Sequence, residues 1–148
     1  MSAKNIIACL DQKIILLTQI WDLTKQIETR CMQADIELDN FLEQRGIFIT
    51  RINKCNDLIT RLTQELPPEQ QERMAQLLQA EVSEENCNSE EERHILQLSL
   101  ECKTILHKAA VLDRSARNKI QAQCDELREK INQERKTESH ENMYNNIR

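Results

Sequence analysis

The sequence predicts an all-α protein, an elongated antiparallel bundle or coiled coil of three long helices plus one short helix. Apolar residues recur at every third or fourth position through most of the chain, a period that only a helix gathers onto one face. One glycine, two prolines and 3% aromatic residues leave too few turn-makers and strand-formers for a sheet protein. Charged residues make up 30% of the chain and are mixed in sign, which suits long solvated helix faces. At 148 residues the chain fits one domain.

The first helix is expected from about Ala3 to about Met32. Its seam is Leu10, Ile14, Leu17, Trp21, Thr24, Glu28 and Cys31, widened on one flank by Ile6, Ile20 and Ile27. A stripe that broad contacts more than one neighbour. Trp21 reads as a large core residue with its indole nitrogen near the rim rather than as a stacking platform for a ligand.

Asp35 stands before Ile36, Glu37 and Leu38 as an N-cap does, its carboxylate placed to accept an orphan amide at the positive end of the second helix. That helix carries the strictest repeat of the chain: Leu38, Phe41, Arg45, Phe48, Ile52, Cys55, Ile59, Leu62 and Leu66. Its regularity marks it as the element around which the others are organised. Arg45 occupies a seam position. It either meets a carboxylate inside or snorkels outward on its own stem, the second being the commoner outcome. Gly46 costs about 1 kcal/mol relative to alanine in a helix interior, so a bend or a close helix approach is expected there.

Pro67 and Pro68 end the second helix, because neither donates the next ladder hydrogen bond. Pro68 can open a first turn, so a short helix restarts there, carries Met74, Leu77 and Leu78 and ends near Ala80. The polar, acidic stretch from Glu81 to Ser89 is expected to be the least ordered part of the interior. Ser89 and Glu92 form a capping-box pattern, and Ile95 opens a third long helix. Its apolar series runs Ile95, Leu98, Cys102, Ile105, Ala109, Leu112 and Ala116, then Ile120, Cys124, Leu127 and Ile131. The steps from Leu112 through Ala116 to Ile120 are a stutter, which locally unwinds a supercoil. Ending near Arg135, this helix would be about 70 Å long against about 45 Å for the other two. Its second half should therefore project with a partly uncovered stripe. The expected organisation is a helical bundle over 1–136 and a flexible tail over 137–148. Met143, Tyr144 and Ile147 in that tail could dock back on the bundle or anchor a partner.

Composition excludes several functions. The net charge of -5, with no cluster of Lys and Arg, argues against a nucleic-acid partner. No apolar run approaches the roughly 20 residues that span a bilayer. Lys4 and the apolar Ile6 to Leu10 imitate a signal peptide, but Asp11, Gln12 and Lys13 interrupt them, so the expected location is cytoplasmic. The six cysteines, Cys9, Cys31, Cys55, Cys87, Cys102 and Cys124, contain no pair at zinc-knuckle or redox-motif spacing. They read as small core hydrophobes in a reducing compartment.

Catalytic patterns are equally sparse. Glu91 and His94 form one glutamate-x-x-histidine pair, whereas a di-iron bundle needs two. His140 and Glu141 begin a zinc-protease pattern whose second histidine is replaced by Tyr144. His107, among Ile105, Leu106 and Lys108, reads as a bundle flank, and there is no glycine-rich loop for phosphate. No catalytic residue, metal ligand or cofactor is assigned, and the chain is expected to be a helical binding module rather than an enzyme.

The layout resembles the FlgN-type flagellar export chaperones, small acidic helical proteins related in habit to the FliT type. The resemblance lies in the dense Leu/Ile run from Leu10 to Leu23, a short hinge, and the segment Ala-Asp-Ile-Glu-Leu-Asp-Asn-Phe-Leu-Glu-Gln-Arg from Ala34 to Arg45. The apolar Ile47 to Ile52, a long charged C-terminal helix and Tyr144-Asn145 also fit. The six cysteines and Gly46 depart from the pattern. The resemblance implies a cytoplasmic chaperone that binds C-terminal helices of hook-filament junction proteins, prevents their premature assembly and aids delivery to the flagellar export gate. It implies a partner-binding surface at Ile120, Cys124, Leu127 and Ile131, with Tyr144 as a further contact. A structural homo-oligomeric scaffold, built on the same seams, is the alternative.

Overall fold

The computed structural model describes the backbone of residues 2–32 and 36–147 and the side chains of 3–32 and 38–143. The described elements are α1 (Ser2–Arg30), α2 (Ile36–Gln64), α3 (Pro68–Leu78), a 3-10 turn (Glu84–Asn86) and α4 (Glu90–Ile147). The all-α bundle of three long helices and one short one is thus the observed fold. Asp35 lies outside the described residues, and with it the expected cap of α2.

The centre of the bundle is α1, not α2. α1 packs along its length against both α2 and α4, whereas contact between α2 and α4 is sparse. Its face Ile6, Leu10, Leu17, Ile20, Thr24 and Ile27 is buried, and only Ile52 and Ile59 of the strict α2 seam are. The physical reason is geometric. A strict 3-4 seam is as wide as one neighbour requires, while a central helix must present a broader stripe to two.

The joint between α2 and α3 follows from local chemistry. Pro67 is the N-cap of α3 and Pro68 its first residue. The Gln71 side-chain amide turns back and donates to the carbonyls of Leu66 at 2.8 Å and Gln64 at 3.1 Å, supplying partners for orphan groups at the end of α2. α3 closes with the Glu81 amide on the Gln76 carbonyl at 2.9 Å and the Ala80 amide on the Leu77 carbonyl at 3.0 Å. That is a Schellman closure, with Ala80 at φ 57° where glycine is usual. The chain's one glycine, Gly46, lies instead inside α2, and a Cβ built on it would meet nothing within 4 Å. Of the bend or close approach expected at Gly46, no described residue makes the close approach.

The acidic stretch after α3 is better tied than its composition suggests. The Asn86 amide donates to the Ser83 carbonyl at 3.0 Å, Arg73 donates to the Asn86 carbonyl at 2.6 Å, and Cys87 is buried in the core. The capping box then starts α4, the Glu92 amide donating to the Ser89 hydroxyl at 3.1 Å. The reciprocal bond is displaced by one residue, for the Glu92 carboxylate accepts the amide of Asn88 at 3.0 Å. The same carboxylate holds Arg73 of α3 at 2.8 Å. Glu92 therefore caps α4 and fastens α3 to it. The Arg73 hydrogen bond chiefly holds its carboxyl below the usual range, against burial, with the Asn88 amide adding to the effect.

α4 does not stop near Arg135 but continues to Ile147. No Gly or Pro follows Pro68, and extending an existing helix adds one hydrogen bond per residue fixed, so only weak local preferences oppose it. Residues 137–147 are helical backbone rather than an irregular tail. No described helix is long and apolar enough to cross a membrane.

Candidate functional site

The candidate site begins where α1 runs out. Near its C-terminal end, Glu28 accepts a hydrogen bond from the Ser115 hydroxyl of α4 at 3.2 Å and is ion-paired with Lys119. The Lys119 hydrogen bond chiefly lowers the Glu28 carboxyl below its ordinary range; burial opposes this, and Ser115 adds to it. An acid in the last turn faces the negative end of its own helix, so Lys119 offsets an unfavourable placement. Beside this lock, Ala116 is the last fully buried residue of α4 and closes a small cluster with Ile27 and Cys31, flanked by Leu38 and Phe41.

Beyond it the seam continues uncovered. Ile120 is 41% exposed, Leu127 52% and Ile131 46%, and Cys124 is exposed between them. Among the described residues from 117 onward only Gln123 is even half-buried. The reason is length: from Ile120 to Ile147 the helix advances about 40 Å past the end of α1. The spacing of four, three and four residues places Ile120, Cys124, Leu127 and Ile131 on one face, in line with the buried seam of the bundle half. The stutter at Leu112, Ala116 and Ile120 coincides with the point where α4 leaves the bundle, and the helix passes through it unbroken.

Met143 is 60% exposed but stands about a third of a turn away from this face, so the structure does not join it to the stripe. Tyr144 belongs to the backbone of α4, and its side chain lies outside the described residues.

Arg45 takes the interior course rather than the commoner outward one. Its guanidinium meets Asp113 of α4 at 3.0 Å and the Thr24 hydroxyl of α1 at 3.4 Å, while Asp113 also holds Arg117 at 2.9 Å. The pair bridges α2 and α4 at one end of a cleft of about 400 Å³, floored by Leu17 and Ile20 of α1. A second cleft of about 390 Å³ continues along the same side and shares Lys13, Leu17, Asn56 and Leu106 with it. The Ser99 hydroxyl is buried at its margin and has no partner among the described residues.

Five of the cysteines are spread through the bundle, and Cys124 stands on the projecting half of α4. All six are free thiols; Cys31, Cys87 and Cys102 are buried, and burial pushes the Cys9 and Cys102 thiols up. No group of three or more His, Cys, Asp or Glu residues among the described residues could hold a metal ion. Glu91 and His94 are both exposed on the first turns of α4. Trp21 is half-buried, with the Lys25 ammonium 3.8 Å and the Lys108 ammonium 5.0 Å from its ring centre, an arrangement that uses the ring as a cation platform between α1 and α4.

Sequence reasoning singled out the apolar stripe but not its borders. Gln121, Gln123, Arg128, Lys130 and Arg135 flank the seam, and the heptad positions themselves were the available signal. No family model, no curated protein and no solved structure matches the chain.

Proposed function

We propose that the protein is a non-enzymatic, cytoplasmic export chaperone of the FlgN type, which binds C-terminal helices of hook-filament junction proteins. The observation that carries this reading is the projecting half of α4, whose apolar face continues the bundle seam with no described residue burying it. A helix that exposes Ile120, Leu127 and Ile131 in line offers a partner helix the same kind of surface that α1 offers inside the bundle. Covering a client's own sticky helix in this way blocks its premature assembly, and release at the export gate returns it. The resemblance in layout supplies the client class, and the exposed stripe supplies the means.

The test is a calorimetric titration of the protein with the C-terminal helical segment of a hook-filament junction protein from the same organism. Saturable binding of micromolar affinity or tighter, lost when Leu127→Ser and Ile131→Ser are combined, is the expected result. Absence of heat and of any complex overturns the reading. Unchanged affinity in the double variant removes the stripe as the site.

A further inference from the structure

The stripe on the projecting half of α4 is bordered by a distinct charge pattern. Taking Ile120 and Leu127 as one set of seam positions and Cys124 and Ile131 as the other, the immediately flanking positions are Gln121, Gln123, Arg128, Lys130 and Arg135. None is acidic. Arg128, Lys130 and Arg135 are exposed and make no ion pair among the described residues. The acids of this stretch lie elsewhere on the helix. Asp125 and Glu129 are engaged by Gln121 at 3.0 Å and Gln133 at 3.3 Å, and Glu134 and Glu138 occupy the next two seam positions.

This pattern opposes pairing with a second copy. In a parallel pair, Lys130 of one chain would face Arg135 of the other and Glu134 would face Glu134 across the seam. In an antiparallel pair the flanks again meet as neutral or like-charged residues, because no flanking position is acidic. Like charges along a helix contact disfavour the pairing in either direction.

We infer that the projecting stripe takes an amphipathic helix of another chain whose apolar seam is bordered by Asp and Glu. Such borders pair with Arg128, Lys130 and Arg135 in either orientation of the partner, while the apolar seam covers Ile120, Leu127 and Ile131. The inference rests on the reading of this stripe as a binding face and adds the chemistry of what binds. It also makes the pairing salt-sensitive, because the cations stand in solvent where ionic strength screens them.

The experiment uses the full chain and two synthetic helices with identical Ile/Leu seams of three heptads, one with Glu and one with Lys at every flanking position. Both peptides repel themselves, so self-association does not compete. The Glu-bordered helix is expected to bind roughly tenfold or more tightly than the Lys-bordered one at low salt, the margin narrowing as salt rises. Combining Arg128→Glu, Lys130→Glu and Arg135→Glu should reverse the preference, and these exposed positions leave the bundle unchanged. Equal affinity for the two helices overturns the charge inference and leaves the binding face standing. Failure of both helices to bind overturns the binding face itself. A stable dimer held through residues 117–147, seen by light scattering without peptide, overturns the inference in favour of a second copy.

Discussion

The two halves of α4 share one unbroken helix and one seam, yet they meet different fates. Between Glu90 and Ala116 the seam is covered by α1 and α3, Ile95 and Ala116 being nearly inaccessible to solvent. From Ile120 to Ile131 the same face stands in water. The contrast shows that a heptad-like pattern specifies a surface that needs covering, not the partner that covers it. In the first half the chain supplies the cover itself. In the second half no described residue supplies it, and the flanking charges differ: the bundle half is tied by acid-base pairs such as Arg45 with Asp113, while Arg128, Lys130 and Arg135 make no ion pair among the described residues.

The sharpest way to break this comparison is to truncate one apolar side chain in each region. Ile95, 1% exposed in the bundle half of α4, should cost about 3 kcal/mol when changed to Ala, the lost transfer energy plus an unfilled cavity. Leu127→Ala should move stability by no more than about 0.5 kcal/mol, as an exposed substitution does. Urea unfolding of both variants is the measurement. A similar loss in both would show that the projecting stripe is covered after all.

A smaller effect should come from the bridge between α2 and α4. Arg45→Met keeps most of the stem but removes the guanidinium, leaving Asp113 with Arg117 alone; a loss of about 1 kcal/mol is expected. Charge reversal of Arg128, which makes no ion pair among the described residues, should leave the melting temperature in place. If the Arg45 variant melts like the wild type, the pair adds nothing to the contact between α2 and α4.

The pH response sharpens the same point at the root of α4. Glu92 has its folded-state pKa lowered from an ordinary value of 4.5, chiefly by Arg73. A lowered carboxyl favours the folded state at pH above its unfolded value, and that contribution disappears as pH falls through the folded value. Thermal melts should therefore lose stability on the acid side of the carboxylate range, and Glu92→Gln should flatten that loss while lowering stability at neutral pH. Deprotonation has the same sign at Glu28, so Glu28 sets the residual slope. An unchanged acid limb in Glu92→Gln would place the acid response outside the joint between α3 and α4.

What the sequence by itself determined was what short stretches can decide. The helical period, the break at Pro67 and Pro68, the Ser89 and Glu92 cap, and the excess length of the last helix all depend on residues within a few positions of one another. Chain length along one helix also made the bare stripe from Ile120 to Ile131 legible, because a rise of about 1.5 Å per residue outruns a shorter neighbour. Only the tertiary structure decided which helix is central and that Arg45 turns inward to Asp113, a residue 68 positions away. It also decided that Gln71 supports the end of α2 and that Glu92 serves two helices. These are choices between partners far apart in sequence, fixed by which faces come to lie against each other, and no local period encodes them.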